Sequence, residues 1–358
     1  MPPLTREDVL SCMCSRWLPL IGAKQTLPTE IVRPLPANFI DYLKADGVYF
    51  PKNTSGDKQD YTCNFDDKDD DDDDNNNQED EDEDDAEDDN NEEVTFPDIE
   101  ERIRDALDRF KGKLFPKLTW SAPSDAAWIS PSGSLACHTV GEVYLLLKSS
   151  DNIANDLRQQ LFDSCVDKND DESAEREFEH ELVLRKWSEL VPSFEFRCFV
   201  RNKELVGISQ IELMHRPYLS EMAERIECLI ECFFENHVRD QFPSNHFVFD
   251  VYVKKDLSRV FLIDFNPFAQ CTDSILFEWS HLATVDSSEH DEPLLKLYPA
   301  EGYDVSIVST RAMQNCYPVE FTSANTNDPD AVAKWAIEMQ RQQEKDASTS
   351  LPPRQQQS

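Results

Sequence analysis

Glycine is scarce, with 8 in 358 residues. Neither GxGxxG nor GxxxxGKS/T occurs, which excludes a dinucleotide fingerprint and a Walker phosphate loop. A bound nucleotide would therefore be held largely by side chains on strands. Positive charge is also in short supply: 35 Lys and Arg stand against 72 Asp and Glu, for a net charge of −37. Nucleic-acid binding rests on Lys and Arg displacing counterions from phosphates, so nucleic acid is not expected as a ligand. Among ten cysteines there is no CxxC pair. Cys12 and Cys14 are too close for a zinc knuckle, and Cys228 and Cys232 sit one helical turn apart. Free thiols in a reducing compartment are the expectation. No run approaches the ~20 apolar residues of a membrane span. Arg6, Glu7 and Asp8 interrupt any leader-like stretch. A soluble, cytoplasmic chain without a membrane partner is expected.

What the sequence does have is core-forming material, 39% hydrophobic with 21 Phe and 6 Trp. Its charge is also unevenly placed. Residues 66–93 hold 20 acids and one base, Lys68, which accounts for −19 of the total. Such a run repels itself and cannot bury enough apolar surface to offset chain entropy, so 53–93 reads as a disordered acidic loop. A solubilising insertion and a lure for a basic partner both fit it.

Elsewhere the periodicities are regular. A short helix is expected around Phe39–Leu43. Ile99, Ile103, Leu107 and Phe110 recur at helical spacing and predict a helix over 98–112. Leu114–Leu118 reads as a strand, and Val143–Leu147 as helical or extended. Glu181–Trp187, Phe194–Val200 and Leu205–Gln210 read as strands, the last two joined by a tight turn at Arg201–Lys203. Residues 218–240 predict a long helix. His246–Val253 and Val260–Asn266 predict a second hairpin across Lys255–Arg259. A further helix is expected near 330–345.

The second hairpin carries chemistry. Strict alternation puts Val260, Leu262, Asp264 and Asn266 on one face of a strand that is otherwise apolar on both faces. An even-sum register would set Asp250 of the partner strand across from Asp264. Two carboxylates and an amide oxygen converging at strand ends are hard donors suited to magnesium. The bland alternative is that each acid bonds a nearby Arg or a backbone turn. Lys117, Lys148, Arg185, Lys186 and Arg197 interrupt apolar strands in an acidic chain. Singly each reads as a solvated or cross-strand-paired charge; together they suit a triphosphate.

The strings Phe115-Pro-Lys-Leu-Thr-Trp-Ser-Ala-Pro123, Glu181-Leu-Val-Leu-Arg-Lys-Trp187, Glu195-Phe-Arg-Cys-Phe-Val200, Gly207-Ile-Ser-Gln210, Phe247-Val-Phe-Asp-Val-Tyr252 and Leu262-Ile-Asp-Phe-Asn-Pro-Phe268 resemble the cell division cycle protein 123 family. The resemblance runs from about residue 8 to about 280. It implies an α+β, ATP-grasp fold in which two lobes clamp ATP and Mg2+. The lobes would be residues 1–52 with 94–187, and residues 188–285. A C-terminal extension over 286–346 and a disordered tail over 347–358 would follow. The resemblance implies that Lys117 and Arg197 touch phosphate and that Ala122 lines the nucleotide. Arg185, Lys186 and Trp187 would lie beside adenine and ribose, with Asp250, Asp264 and Asn266 on the metal. The glycine-rich flap of ATP-grasp enzymes is missing, with Ser130–Cys137 a weak substitute. The implied role is a monomeric assembly chaperone that binds the gamma subunit of eukaryotic translation initiation factor 2. The alternative is an ATP-grasp ligase or kinase acting on a carboxylate or peptide.

Overall fold

A chain with an apolar N-terminal segment and two separate groups of strands must decide which group that segment covers. The computed structural model describes residues 1–45, 95–130, 133–167, 178–285 and 294–300. The acidic run, the helix expected near 330–345 and the tail lie outside these residues.

The chain begins with α1 (Arg6–Ser11) and α2 (Cys14–Ile21). A capping box starts α1: the Asp8 N–H donates to Thr5 Oγ1 at 3.2 Å and the Thr5 N–H donates to Asp8 Oδ2 at 3.0 Å. Next come β1 (Thr29–Val32), α3 (Ala37–Lys44) and α4 (Pro97–Arg109). In α4 proline opens the first turn, where no N–H is needed. Ile99, Ile103, Ala106 and Leu107 form its buried stripe. Then follow β2 (Leu114–Leu118), α5 (Val140–Lys148), α6 (Asp151–Leu157) and β3 (Leu182–Lys186). The ambiguous run at 143–147 is thus helical. The three strands make an antiparallel sheet in the order β1-β3-β2. Leu114, Leu118, Leu182 and Leu184 bury one of its faces in a core shared with α3 to α6.

The second sheet is built from β4 (Glu195–Arg201), β5 (Glu204–Gln210), β6 (Phe247–Val253), β7 (Val260–Pro267) and β8 (Leu295–Lys296), in the order β7-β6-β4-β5-β8. The β4–β5 connection has Asn202 and Lys203 at φ of 54° and 63°. Two left-handed central residues match the twist of a two-residue hairpin. Between β5 and β6 runs α7 (Pro217–His237), which buries Leu219, Ile226, Ile230, Phe233 and Phe234. A short α8 (Trp279–Leu282) follows β7. At Gly207 on β5 an added Cβ would stand 2.8 Å from the Phe277 ring, so glycine there permits that ring to close over the sheet.

The hairpin confirms one expectation and corrects another. Asp250 does pair with Asp264 across β6 and β7. The expected common face of Val260, Leu262, Asp264 and Asn266 is broken, however, because the register shifts between Asp250 and Val251. A bulge adds one residue to β7 at this point and reverses its alternation. Val260 and Leu262 consequently join Phe265 in the core, while Asp264 and Asn266 share the other face.

Residues 1–52 are also expected to belong with the first sheet. Yet Leu4, Val9, Trp17 and Ile21 pack into the core of the five-stranded sheet. The segment straps both sheets. Toward the first, the Ser15 N–H donates to Glu181 Oε1 at 3.0 Å, and Trp120 Nε1 donates to the Val9 carbonyl at 3.0 Å. Toward the second, Ser244 Oγ donates to Asp8 Oδ1 at 2.7 Å, the Leu262 N–H donates to the Gln25 carbonyl at 2.7 Å, and the Trp17 and Phe265 rings meet edge to face.

Candidate functional site

Register alone assembles a row of polar side chains on one face of the five-stranded sheet. Ser209 pairs with Arg197, Arg197 with Asp250, and Asp250 with Asp264, so all four project from the same side. Lys296 of β8 extends the row beyond Ser209. Arg197 grips Asp250 with two parallel bonds, Nε to Oδ1 and Nη2 to Oδ2, both at 2.8 Å. Its remaining Nη1 donates to the Asp273 carbonyl at 2.9 Å. Burial pulls the guanidinium down, but the Asp250 carboxylate more than offsets this and leaves it above its ordinary value. Asn266 Nδ2 donates to Asp250 Oδ2 at 3.2 Å, which leaves the amide oxygen for another partner.

The first sheet reaches into this row from across the cleft. On β2 and β3, Lys117 stands opposite Val183 and Phe115 opposite Arg185, which puts both bases on the face that turns toward β7. Lys117 Nζ forms an ion pair with Asp264 Oδ2, and its side chain is 2% exposed. Arg185 Nη1 donates to the Ile263 carbonyl at 2.8 Å, at the β7 bulge. Thus six of the nine expected site residues converge: Lys117, Arg185, Arg197, Asp250, Asp264 and Asn266. Lys186 leaves β3 on the opposite face from Arg185, because side chains alternate along a strand. Trp187 lies just beyond β3, its N–H donated to the Lys113 carbonyl at 3.2 Å. Ala122 is half-buried in the turn after β2.

That turn is set by a residue the sequence reading passed over. Asp156 accepts from the Trp120 N–H at 3.0 Å, the Ser121 N–H at 2.8 Å and Ser121 Oγ at 2.7 Å. Burial pushes its carboxyl up to about 6, against the pull of these donors. Glu181 was also missed as a site residue, although it opens a quoted strand and shares the face of Arg185. It is fully buried, and its Oε2 has no hydrogen-bond partner. Cys14 lies near Arg185, Lys117, Asp264 and Glu181, and burial pushes its thiol up to about 11. Its proximity to the site could not be read from spacing, since it comes from the strap.

Can these residues hold a divalent cation? Among the described residues no group of three or more His, Cys, Asp and Glu has metal-holding geometry. A pair of carboxylates and an amide remains, however, and it consists only of hard oxygen donors. Asp264 Oδ1 is buried with no hydrogen-bond partner, a costly arrangement that a cation would relieve. The donor set fits magnesium. Lys117 and Arg197 neutralise the same two acids here, so the ion-pair alternative describes the arrangement seen.

One pleat farther along this face, Glu195, Tyr252 and Phe261 form the next row. A cleft of about 630 Å³ opens there, lined by Leu27, Leu190, Tyr252 and Phe261, with Lys255 and Arg259 at its rim. Among the described residues no hydrogen bond or ion pair reaches the Glu195 carboxylate. Burial, then Asp250 and Glu212, push it up to about 7.

The D123 family profile matches residues 17–325, a span that takes in both sheets and every expected site residue. The chain belongs to the D123 family. The translation initiation factor eIF2 assembly protein of Vanderwaltozyma polyspora is 37% identical over 367 residues, covering 97% of this chain and 96% of its own. The protein of the same description from Xenopus tropicalis is 36% identical over 332 residues, covering 91% of this chain and 94% of its own. Among solved structures, Cdc123 from Schizosaccharomyces pombe matches with a TM-score of 0.65 at 34% identity, over 84% of this chain and 100% of that one. The α+β architecture is therefore that of the D123 family. The profile begins at Trp17, so α1, Cys12 and Cys14 lie outside the matched span. Among the described residues no helix is long and apolar enough to cross a membrane.

Proposed function

We propose that this chain binds ATP with Mg2+ in the cleft between its two sheets, as an ATP-grasp protein, and uses that site as a cytosolic assembly chaperone for eIF2. The observation that carries the nucleotide reading is the convergence of Lys117, Arg185 and Arg197 on Asp250, Asp264 and Asn266 from two different sheets. A triphosphate needs cations and its metal needs oxygen donors, and both occur within one row. Asp250, Asp264 and Asn266 would hold magnesium, which supplies positive charge against phosphate when bound. Lys117 and Arg197 would then turn from the acids toward phosphate oxygens, Arg197 with a planar fork and Lys117 with a point charge. The apolar walls at Leu190, Tyr252 and Phe261 suit a planar base.

The eIF2 descriptions of the V. polyspora and X. tropicalis proteins support the partner, and the family resemblance supports the gamma subunit as its point of attachment. In this reading binding, rather than turnover, does the work, because a filled cleft favours one interlobe arrangement and hence one partner-binding surface. Calorimetric titration with ATP, with and without Mg2+, tests the site, with phosphate release assayed on the same sample. Magnesium-dependent binding without steady release is expected. Absence of binding overturns the nucleotide reading, and steady release makes the chain an enzyme. Capture of purified gamma subunit in the presence of a non-hydrolysable ATP analogue tests the partner. Capture that requires hydrolysable ATP overturns the binding-driven chaperone.

A further inference from the structure

The outer face of α7 carries a feature unrelated to the cleft. Its buried side chains, Leu219, Ile226, Ile230, Phe233 and Phe234, turn toward the five-stranded sheet. Cys228 and Cys232 are exposed on the other side, whereas Cys12, Cys14, Cys137, Cys165 and Cys198 are buried. A separation of four residues stacks the two thiols one turn apart on a single face. They stand close enough for one to hydrogen-bond the other. That bond and the charge of Cys228, with Glu231 and Glu235 beyond it, hold the Cys232 thiol above its ordinary value. A metal binds the thiolate, so uptake at Cys232 competes with its proton and strengthens as pH rises.

The number of donors restricts what the pair can take. Structural zinc requires four ligands, and among the described residues no third His, Cys, Asp or Glu completes a metal-holding group. Two sulfurs alone suit a soft ion that is satisfied by low coordination. We propose that Cys228 and Cys232 form a surface dithiol site that chelates one Cu(I) ion. Two S–H bonds break, two Cu–S bonds form and two protons leave to solvent, with no change in the oxidation state of copper or sulfur.

The test uses the reduced, full-length chain under anaerobic conditions, with Cu(I) partitioned against the chromogenic chelator bicinchoninate. Wild type should hold one equivalent that the Cys228→Ser, Cys232→Ser double variant does not, a difference that cancels any contribution of the other eight cysteines. Each single variant should lose about a hundredfold in affinity for that equivalent, since the second sulfur acts at a high effective concentration. Both positions are exposed, and far-UV circular dichroism verifies that the helix survives. Identical Cu(I) uptake by wild type and the double variant overturns the site. A loss confined to one single variant also overturns it, because that would mark a lone thiol. Selective retention of Zn2+ by wild type overturns the two-coordinate assignment.

Discussion

The two sheets meet the cleft with opposite charge. The three-stranded sheet brings Lys117 and Arg185, and the five-stranded sheet brings Asp250 and Asp264, with Arg197 on the acids' own side. The acids are consequently neutralised in different ways. Asp250 is paired within its own sheet, by a fork that would survive separation of the lobes. Asp264 is paired across the cleft, by a lysine that belongs to the other lobe. One ion pair is part of a lobe's own construction, and the other is part of what joins the lobes.

The comparison can be broken by removing each acid in turn. Asp264→Ala leaves Lys117 buried without its counter-charge and should cost about 3–5 kcal/mol in urea unfolding. Asp250→Ala leaves Arg197 less deeply buried and still bonded to the Asp273 carbonyl, so about 2–3 kcal/mol is expected. Equal losses would remove the distinction between the two pairs.

The lobes also differ in how they treat a buried acid, and pH separates the two cases. The Glu195 carboxyl of the second lobe is raised from 4.5 to about 7, with no donor to favour its charged form. A raised folded-state value means that stability is full below the unfolded value and is lost as pH climbs toward 7. Glu195→Gln should flatten that slope and gain on the order of 2 kcal/mol at pH 8, read from chemical denaturation across pH. Asp156, in the first lobe, is raised from 3.8 to about 6 despite three donors. Asp156→Asn should flatten the loss between those values but gain only about 1 kcal/mol at pH 8, because the amide accepts fewer of those bonds. A larger gain from Asp156→Asn than from Glu195→Gln would reverse the contrast. An effect of the same size is expected where the strap is tied down: Ser244→Ala should cost about 1 kcal/mol through its bond to Asp8.

Local patterns made much of this legible. The strands at 182–186, 195–201, 204–210, 247–253 and 260–267 announce themselves through short apolar runs between turns, and α4 and α7 through their stripes. The Asp250–Asp264 pairing followed from one hairpin, whose partners are close in sequence. The bulge did not, because a single inserted residue leaves composition unchanged and reverses only the faces. Lys117 and Arg185 were visible as bases in apolar strands, whereas Asp156 was hidden because its partners, Trp120 and Ser121, lie 36 and 35 residues away. The strap was least legible of all. Its helices are 6 and 8 residues long, too short for periodicity to say which core they enter.

That strap has a consequence for how the protein is made. Asp8 finds Ser244 across 236 residues of chain, and Lys24 meets Arg259 across 235. The strap is therefore synthesised well before part of the core that seats it. At about 5–20 residues per second, α1 and α2 wait roughly 10–50 s for β6 and β7 to be synthesised. Throughout that interval Val9 and Trp17 lack the side of their core that β6 and β7 supply through Phe249 and Phe265. A ribosome that halts between β3 and β6 releases a chain whose strap is fastened on one side only, to Glu181 and Trp120.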